Sequence, residues 1–185
     1  MTARERQGPL DGLRVIDMSG MISGTFATTM MGDFGADVVM VEHPEVGDPI
    51  REWPQKTENG ISLAWKSIGR NKRCITLDLG SDRGREIALD LIAEADVLFE
   101  NFRPGTMERW GLGPEDVHAV NEEAIMVRLS GYGQTGPKSQ KPVSEPSPRV
   151  SRAGPTPMAF PTANRSCHPL VSRICRRRSS RSRRR

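Results

Sequence analysis

Arg70, Asn71, Lys72 and Arg73 form the densest cationic cluster in the body of the chain, just ahead of an apolar run. With Arg103 and Arg109 they could hold an anionic ligand rich in phosphate. Guanidinium forks and an ammonium make charge-assisted hydrogen bonds to phosphate oxygens worth about 1.5 to 3 kcal/mol each. The plainer alternative is a solvated basic turn. Asn101-Phe102-Arg103-Pro104-Gly105 reads either as a ligand loop with a stacking Phe or as a Pro-Gly turn. His43 and His118 have no acid or nucleophile at an informative spacing and read as surface or packing residues, and Met30, Met31 and Met107 read as core fillers. Cys74, Cys167 and Cys175 are odd in number and lack metal-ligand spacing. Neither a disulfide framework nor a zinc site is supported, and Cys74 reads as a buried thiol.

The elements that must carry these residues alternate. A short strand at Leu13 to Ile16 runs into the loop Ser19 to Gly24. A helix follows from Thr25 to Phe34, with Phe26, Met30 and Phe34 recurring on one face and Gly35 as its stop. Asp37 to Glu42 reads as a second strand and Cys74 to Leu79 as a third. Ser81 leads into an amphipathic helix whose Ile87, Leu91 and Ile92 share a face. Asp96 to Glu100 is a fourth strand, Pro114 to Asn121 a short helix and Ile125 to Leu129 a fifth strand. This order predicts an α/β fold, a Rossmann-like doubly wound and mostly parallel sheet. Ligands of such sheets bind at the carboxyl ends of the strands. The loops expected there are 19–24, 42–48, 101–105 and 130–137. None carries the dinucleotide fingerprint or the phosphate-loop motif, so neither NAD nor ATP is indicated.

The 185 residues are 36% apolar and 27% charged, ordinary for a globular chain. No stretch approaches the roughly 20 apolar residues of a spanning helix, and Met1 to Gln7 has no signal-peptide core. The expected location is the cytoplasm. The net charge of +4 hides a split: residues 1–142 hold 16 basic side chains against 22 acidic, and residues 143–185 hold 11 against one. The second segment has six prolines, one aromatic and a terminal arginine run. Such composition predicts a disordered basic tail. Its functional alternative is a nucleic-acid arm whose arginines neutralise phosphates.

Several motifs, in order, resemble one family. They are Pro9-Leu10-Asp11-Gly12-Leu13-Arg14-Val15, Gly35-Ala36-Asp37-Val38-Val39, Val41-Glu42-His43-Pro44 with Gly47-Asp48, and Arg70-Asn71-Lys72-Arg73 with Thr76-Leu77-Asp78-Leu79. Glu100-Asn101-Phe102-Arg103-Pro104-Gly105 and Gly131-Tyr132-Gly133-Gln134-Thr135-Gly136-Pro137 complete the set. Together they resemble the class III CoA-transferases, which include formyl-CoA, succinyl-CoA and carnitine CoA-transferases and α-methylacyl-CoA racemase. The resemblance runs from about residue 8 to 142 and covers about the N-terminal third of a usual member. It implies a Rossmann-like large domain, a second small domain and a homodimer of two interlocked chains. Coenzyme A or an acyl-CoA is then a substrate, with no permanently bound cofactor. By position, Met21 and Ile22 would flank the adenosine part, and Asn71, Lys72 and Arg73 the nucleotide phosphates. Asn101, Phe102, Arg103 and Arg109 would form the remaining ligand surface, and His43 stands where some members have Arg.

In that family an Asp carboxylate attacks the acyl-CoA thioester, and CoA passes through an aspartyl-CoA thioester to a second carboxylic acid. The nucleophile belongs to a Gly-Leu-Ala-Asp segment some 30 residues beyond Pro142. Residues 143–185 contain no Asp, so no catalytic residue is assigned in this chain. Back-translating Pro142 to Pro148 as CCG GTT TCG GAA CCA TCG CCG and starting two bases later gives Gly-Phe-Gly-Thr-Ile-Ala. The same shift over Ala159 to Ile174, with GC-rich codons, ends in Ala-Gly-Leu-Ala-Asp. The reading is therefore an N-terminal large-domain part over 1–142 and an out-of-frame tail over 143–185, inactive as written. The recovered Gly-Phe-Gly-Thr favours a transferase over the alternative, a racemase fragment. From other classes, a non-catalytic CoA-binding module and a basic-tail nucleic-acid binder remain, the latter less favoured.

Overall fold

A computed structural model describes residues 8–141. Over them the chain forms five strands, β1 (Arg14–Asp17), β2 (Asp37–Glu42), β3 (Lys72–Thr76), β4 (Val97–Glu100) and β5 (Ile125–Arg128). Five helices alternate with the strands: α1 (Ser23–Asp33), α2 (Leu63–Ile68), α3 (Asp82–Ala93), α4 (Thr106–Arg109) and α5 (Pro114–Val120). A 3-10 turn, Pro49–Glu52, precedes α2. All strand pairs are parallel, in the order β3-β2-β1-β4-β5. The expected α/β sheet is thus present, and it is parallel throughout. The basic tail expected over 143–185 lies outside the described residues.

β1 is central and buried on both faces because Val15 and Ile16 point opposite ways into two cores. Ile16, Val39, Val41 and Leu98 meet α3, α4 and α5 on one side; Val15, Val38, Val97 and Phe99 meet α1 on the other. The chain therefore winds from the centre to both edges with helices on both faces. The strand order reverses at β1, and by the rule for open α/β sheets the ligand crevice is expected at the loops after β1 and β4.

Two sequence expectations need correction. The face of α1 turned to the sheet is Gly24, Thr25, Thr28, Thr29 and Gly32, whereas Phe26, Met30 and Phe34 are 48%, 45% and 51% exposed. The cause is close approach. A methyl group on Gly24 would come within 2.2 Å of Ser19 Oγ, so only small side chains fit beneath this helix. Met30 is consequently no core filler, while Met107 is fully buried and Met31 is half-buried against the core. Cys74 is exposed rather than buried, because β3 is an edge strand.

Candidate active-site crevice

The loop after β1 is held from beneath and from both sides. Asp17, the last residue of β1, is fully buried. Its Oδ1 accepts from the Ser19 N–H at 3.0 Å and from the Ser19 hydroxyl. Its Oδ2 accepts from the Thr28 hydroxyl and from Lys72 Nζ at 2.9 Å. Lys72 also donates to the Thr25 carbonyl at 2.7 Å, and its side chain is 0% exposed. Burial pushes the Lys72 ammonium below its ordinary value against the pull of the Asp17 charge. This pair ties β1, β3 and α1 together.

From the β4 side, Asn101 grips the backbone of Gly20. Its Oδ1 accepts from the Gly20 N–H at 3.0 Å and its Nδ2 donates to the Gly20 carbonyl at 2.6 Å. From the β2 side, Asp48 Oδ2 accepts from the Met21 N–H at 3.1 Å. Met21 adopts φ 62°, a left-handed conformation that costs a non-glycine residue about 1 to 2 kcal/mol. Asp48 is 3% exposed, and burial raises its carboxyl above the usual range, with Glu42 and Asp17 adding to the push. Glu42 accepts from the Asp48 N–H at 3.0 Å and from Arg51 Nε and Nη2 at 2.7 and 2.6 Å. Burial opposes its ionisation, yet the bonds from Arg51 and Asp48 hold it below the ordinary carboxylate value. The Arg51 guanidinium lies 3.7 Å from the Trp65 ring centre, a cation–π contact that anchors it to α2.

The loop after β4 is fixed by a second network. Glu100 Oε2 accepts from the Phe102 N–H at 2.8 Å, and Arg128 reaches Glu100 and Glu108, each at 2.7 Å. The Arg128 bond draws the Glu108 carboxyl below its usual value. Phe102 packs edge-on against Trp110, with ring centres 5.0 Å apart, and is half-buried against the core. Arg103 and Arg109 are exposed, and Arg109 donates to Thr106 Oγ1 at 3.0 Å.

Met21, Ile22 and Asn101 are thus brought together, while Phe102 and Arg103 follow on the loop after β4 and Arg109 ends α4. Ile22 is half exposed at the start of α1. His43, at the end of β2, is exposed, and its Nδ1 accepts from the Glu45 N–H at 3.2 Å. Of the basic cluster, Lys72 reaches this loop from beneath, through Asp17 and the Thr25 carbonyl. Lys72 lies level with Val38 near the start of β2, so Asn71 and Arg73 sit toward the amino-terminal rim of the sheet. There Asn71 and Arg70 bond Asp33, and Arg73 pairs with Asp37 at 2.7 Å. Asn71 makes its turn at φ 59°, a conformation asparagine tolerates. The cationic run is thus an ion-paired turn with one buried lysine. The sequence reading missed Asp17, Asp48, Glu42, Arg51 and Arg128. One signal was readable: Asp48 before Pro49 is a helix cap with proline in the first turn, and its Oδ1 accepts from the Ile50 N–H at 2.8 Å.

Among the described residues no cluster of His, Cys, Asp or Glu is placed to hold a metal, and no helix is long and apolar enough to cross a membrane. The rim instead offers backbone-lined loops and exposed guanidinium groups, an arrangement suited to an extended anionic ligand.

Comparison with known proteins agrees with this shape. The chain is 44% identical over 141 residues to a succinyl-CoA–D-citramalate CoA-transferase of Chloroflexus aurantiacus, covering 76% of this chain and 35% of that protein. It is 40% identical over 133 residues to the succinyl-CoA:glutarate CoA-transferase of Mus musculus, covering 72% of this chain and 30% of that protein. A crystal structure of a CAIB/BAIF family protein from Brucella suis superposes with a TM-score of 0.68 at 38% identity, over 74% of this chain and 37% of that one. The chain therefore spans about a third of the length of the curated relatives it matches. The model of CoA-transferase family III matches residues 10–163, further than the resemblance read from motifs, and this chain belongs to that family.

Proposed function

We propose that this chain is the nucleotide-facing part of an enzyme that moves CoA from an acyl-CoA thioester to a carboxylic acid. The observation that carries the reading is the family match joined to a crevice at the sheet's switch point, where the β1 loop is clamped and Arg103 and Arg109 stand exposed. In this reading the clamped backbone of 20–22 receives the adenosine end of CoA. Arg103 and Arg109 meet its anionic groups, and the Glu100–Arg128 network fixes the loop that carries Arg103. The printed activities of the relatives make succinyl-CoA the donor to try first and small dicarboxylic acids the acceptors. The site works in the intracellular compartment where CoA thioesters are kept. The exposed apolar face of α1 supports a body completed by further chain, in the same molecule or in a second copy.

The nucleophilic carboxylate of the family has no counterpart in residues 143–185, which contain no Asp. As written, the chain binds CoA without acyl exchange, and a shifted reading frame near Pro142 accounts for the loss. Calorimetric titration with CoA and an exchange assay with succinyl-CoA and a labelled dicarboxylate test both halves. Heat of binding without exchange is the expected result. Exchange by the purified chain overturns the missing nucleophile, and absence of any CoA binding overturns the CoA reading. A family-like gene with an uninterrupted frame through residue 163 would sink the frameshift.

A further inference from the structure

We infer that Asp48 is a positioning residue, a buried clamp that holds the Met21 backbone left-handed and so fixes the β1 loop at the mouth of the crevice. The ligand named for that loop rests on the CoA reading above; the clamp itself rests on geometry alone.

Three features single out Asp48. Its two oxygens serve two different segments: Oδ2 accepts from Met21 N–H at 3.1 Å and Oδ1 from Ile50 N–H at 2.8 Å. A carboxylate is acceptor at both oxygens, whereas the amide of an asparagine would turn a donor toward one of the two N–H groups. Second, Asp48 is itself immobilised. Its own N–H donates to Glu42 Oε2, which Arg51 grips twice, and Arg51 lies over Trp65. The clamp is therefore anchored to β2 and α2, outside the loop it holds. Third, the held residue is strained, since Met21 has φ 62° where methionine prefers negative values. Asn101 fixes the preceding residue, Gly20, through both its amide functions. Two consecutive residues of the β1 loop are thus gripped from opposite sides, by side chains from the β2 and β4 loops. Strain persists only where the surroundings over-determine it, and here they do so at the start of α1 beside the ligand crevice.

Asp48→Ser separates this role from simple stability. A serine still caps the 3-10 turn at Ile50 but is too short to reach Met21. In the full chain, amide hydrogen exchange over residues 18–24, thermal unfolding and calorimetric titration with CoA are measured together. We expect Met21 exchange to quicken and CoA affinity to fall by about tenfold each in D48S, for the loss of one charge-assisted bond, with little change in melting temperature. Met21→Asn supplies a residue at ease in the left-handed region, so the Asp48→Ser loss is expected to shrink in the M21N background. A merely structural aspartate gives no such rescue. Asp48→Asn, nearly the same in shape, makes the same comparison if serine unsettles the fold. Unchanged Met21 exchange in both variants, or an Asp48→Ser loss of equal size with and without M21N, overturns the clamp. If the parent chain takes up no CoA while Met21 exchange still quickens in D48S and is slowed again by M21N, the ligand reading fails and the clamp stands.

Discussion

Arg51 and Lys72 show how differently two cations near one crevice are used. Arg51 is over a third exposed and neutralises Glu42, whose side chain is 4% exposed. Arg51→Met leaves that carboxylate buried without its partner, and we expect a loss of about 3 kcal/mol at pH 7, at the low end for a buried pair because water reaches the arginine. The sign with pH follows from the depressed Glu42 carboxyl. Its contribution is full above the unfolded value and disappears as pH falls through the folded one, so parent and variant should converge in acid. Urea unfolding at a series of pH values checks this. Lys72 is wholly buried against Asp17. Lys72→Met should cost about 3 kcal/mol or more in the same assay, because it leaves a buried carboxylate without its cation. Arg103→Ala should leave unfolding unchanged and weaken CoA binding instead, since Arg103 is exposed on the crevice loop. A sharp drop in stability for R103A, with CoA affinity intact, would reverse these assignments.

Among the elements, α1 is the one whose hydrophobic pattern misleads. Its period of four apolar residues correctly announces a helix, but the buried stripe is the small and hydroxylated one. Sequence periodicity reports that a helix has two faces. It does not say which face meets the sheet when glycines permit contact at backbone range, as Gly24 does over Ser19. Exchanging Phe26 and Phe34 for Gln should therefore raise the soluble yield and leave the melting temperature within a degree or two, as surface changes usually do. A fall of several degrees would mean that those rings pack inward. The five strands were legible because apolar runs of four to six residues between turn signals have few other readings. The 3-10 turn at Pro49–Glu52, α2 and α4 were not, since four to six residues give too little periodicity to stand out. Loops 19–24 and 101–105 were legible because strand ends point to them, and Asn101 does meet Gly20, whereas the single residues named on them came from the family resemblance. The strand that follows Arg70 and Asn71 begins at Lys72, two residues earlier than the alternation implied, and only the register shows that this lysine lies beside β2 and reaches Asp17 under the β1 loop.

At the scale of the whole molecule, a family of longer proteins is represented by about a third of its length, yet all five strands of this portion pair. Reinserting the one base that the back-translation implies near Pro142, and extending the gene in that frame, should yield acyl exchange where the present chain yields none. Continued inactivity of a folded, extended product would place the defect elsewhere. The strand order also has a price during synthesis. β1 emerges first but occupies the middle of the sheet, and its second neighbour, β4, arrives only after roughly eighty further residues, as the Gly20–Asn101 separation of 81 records. Until then one margin of a Val-Ile segment hangs unpaired on the ribosome, where chaperones or sister chains can capture it.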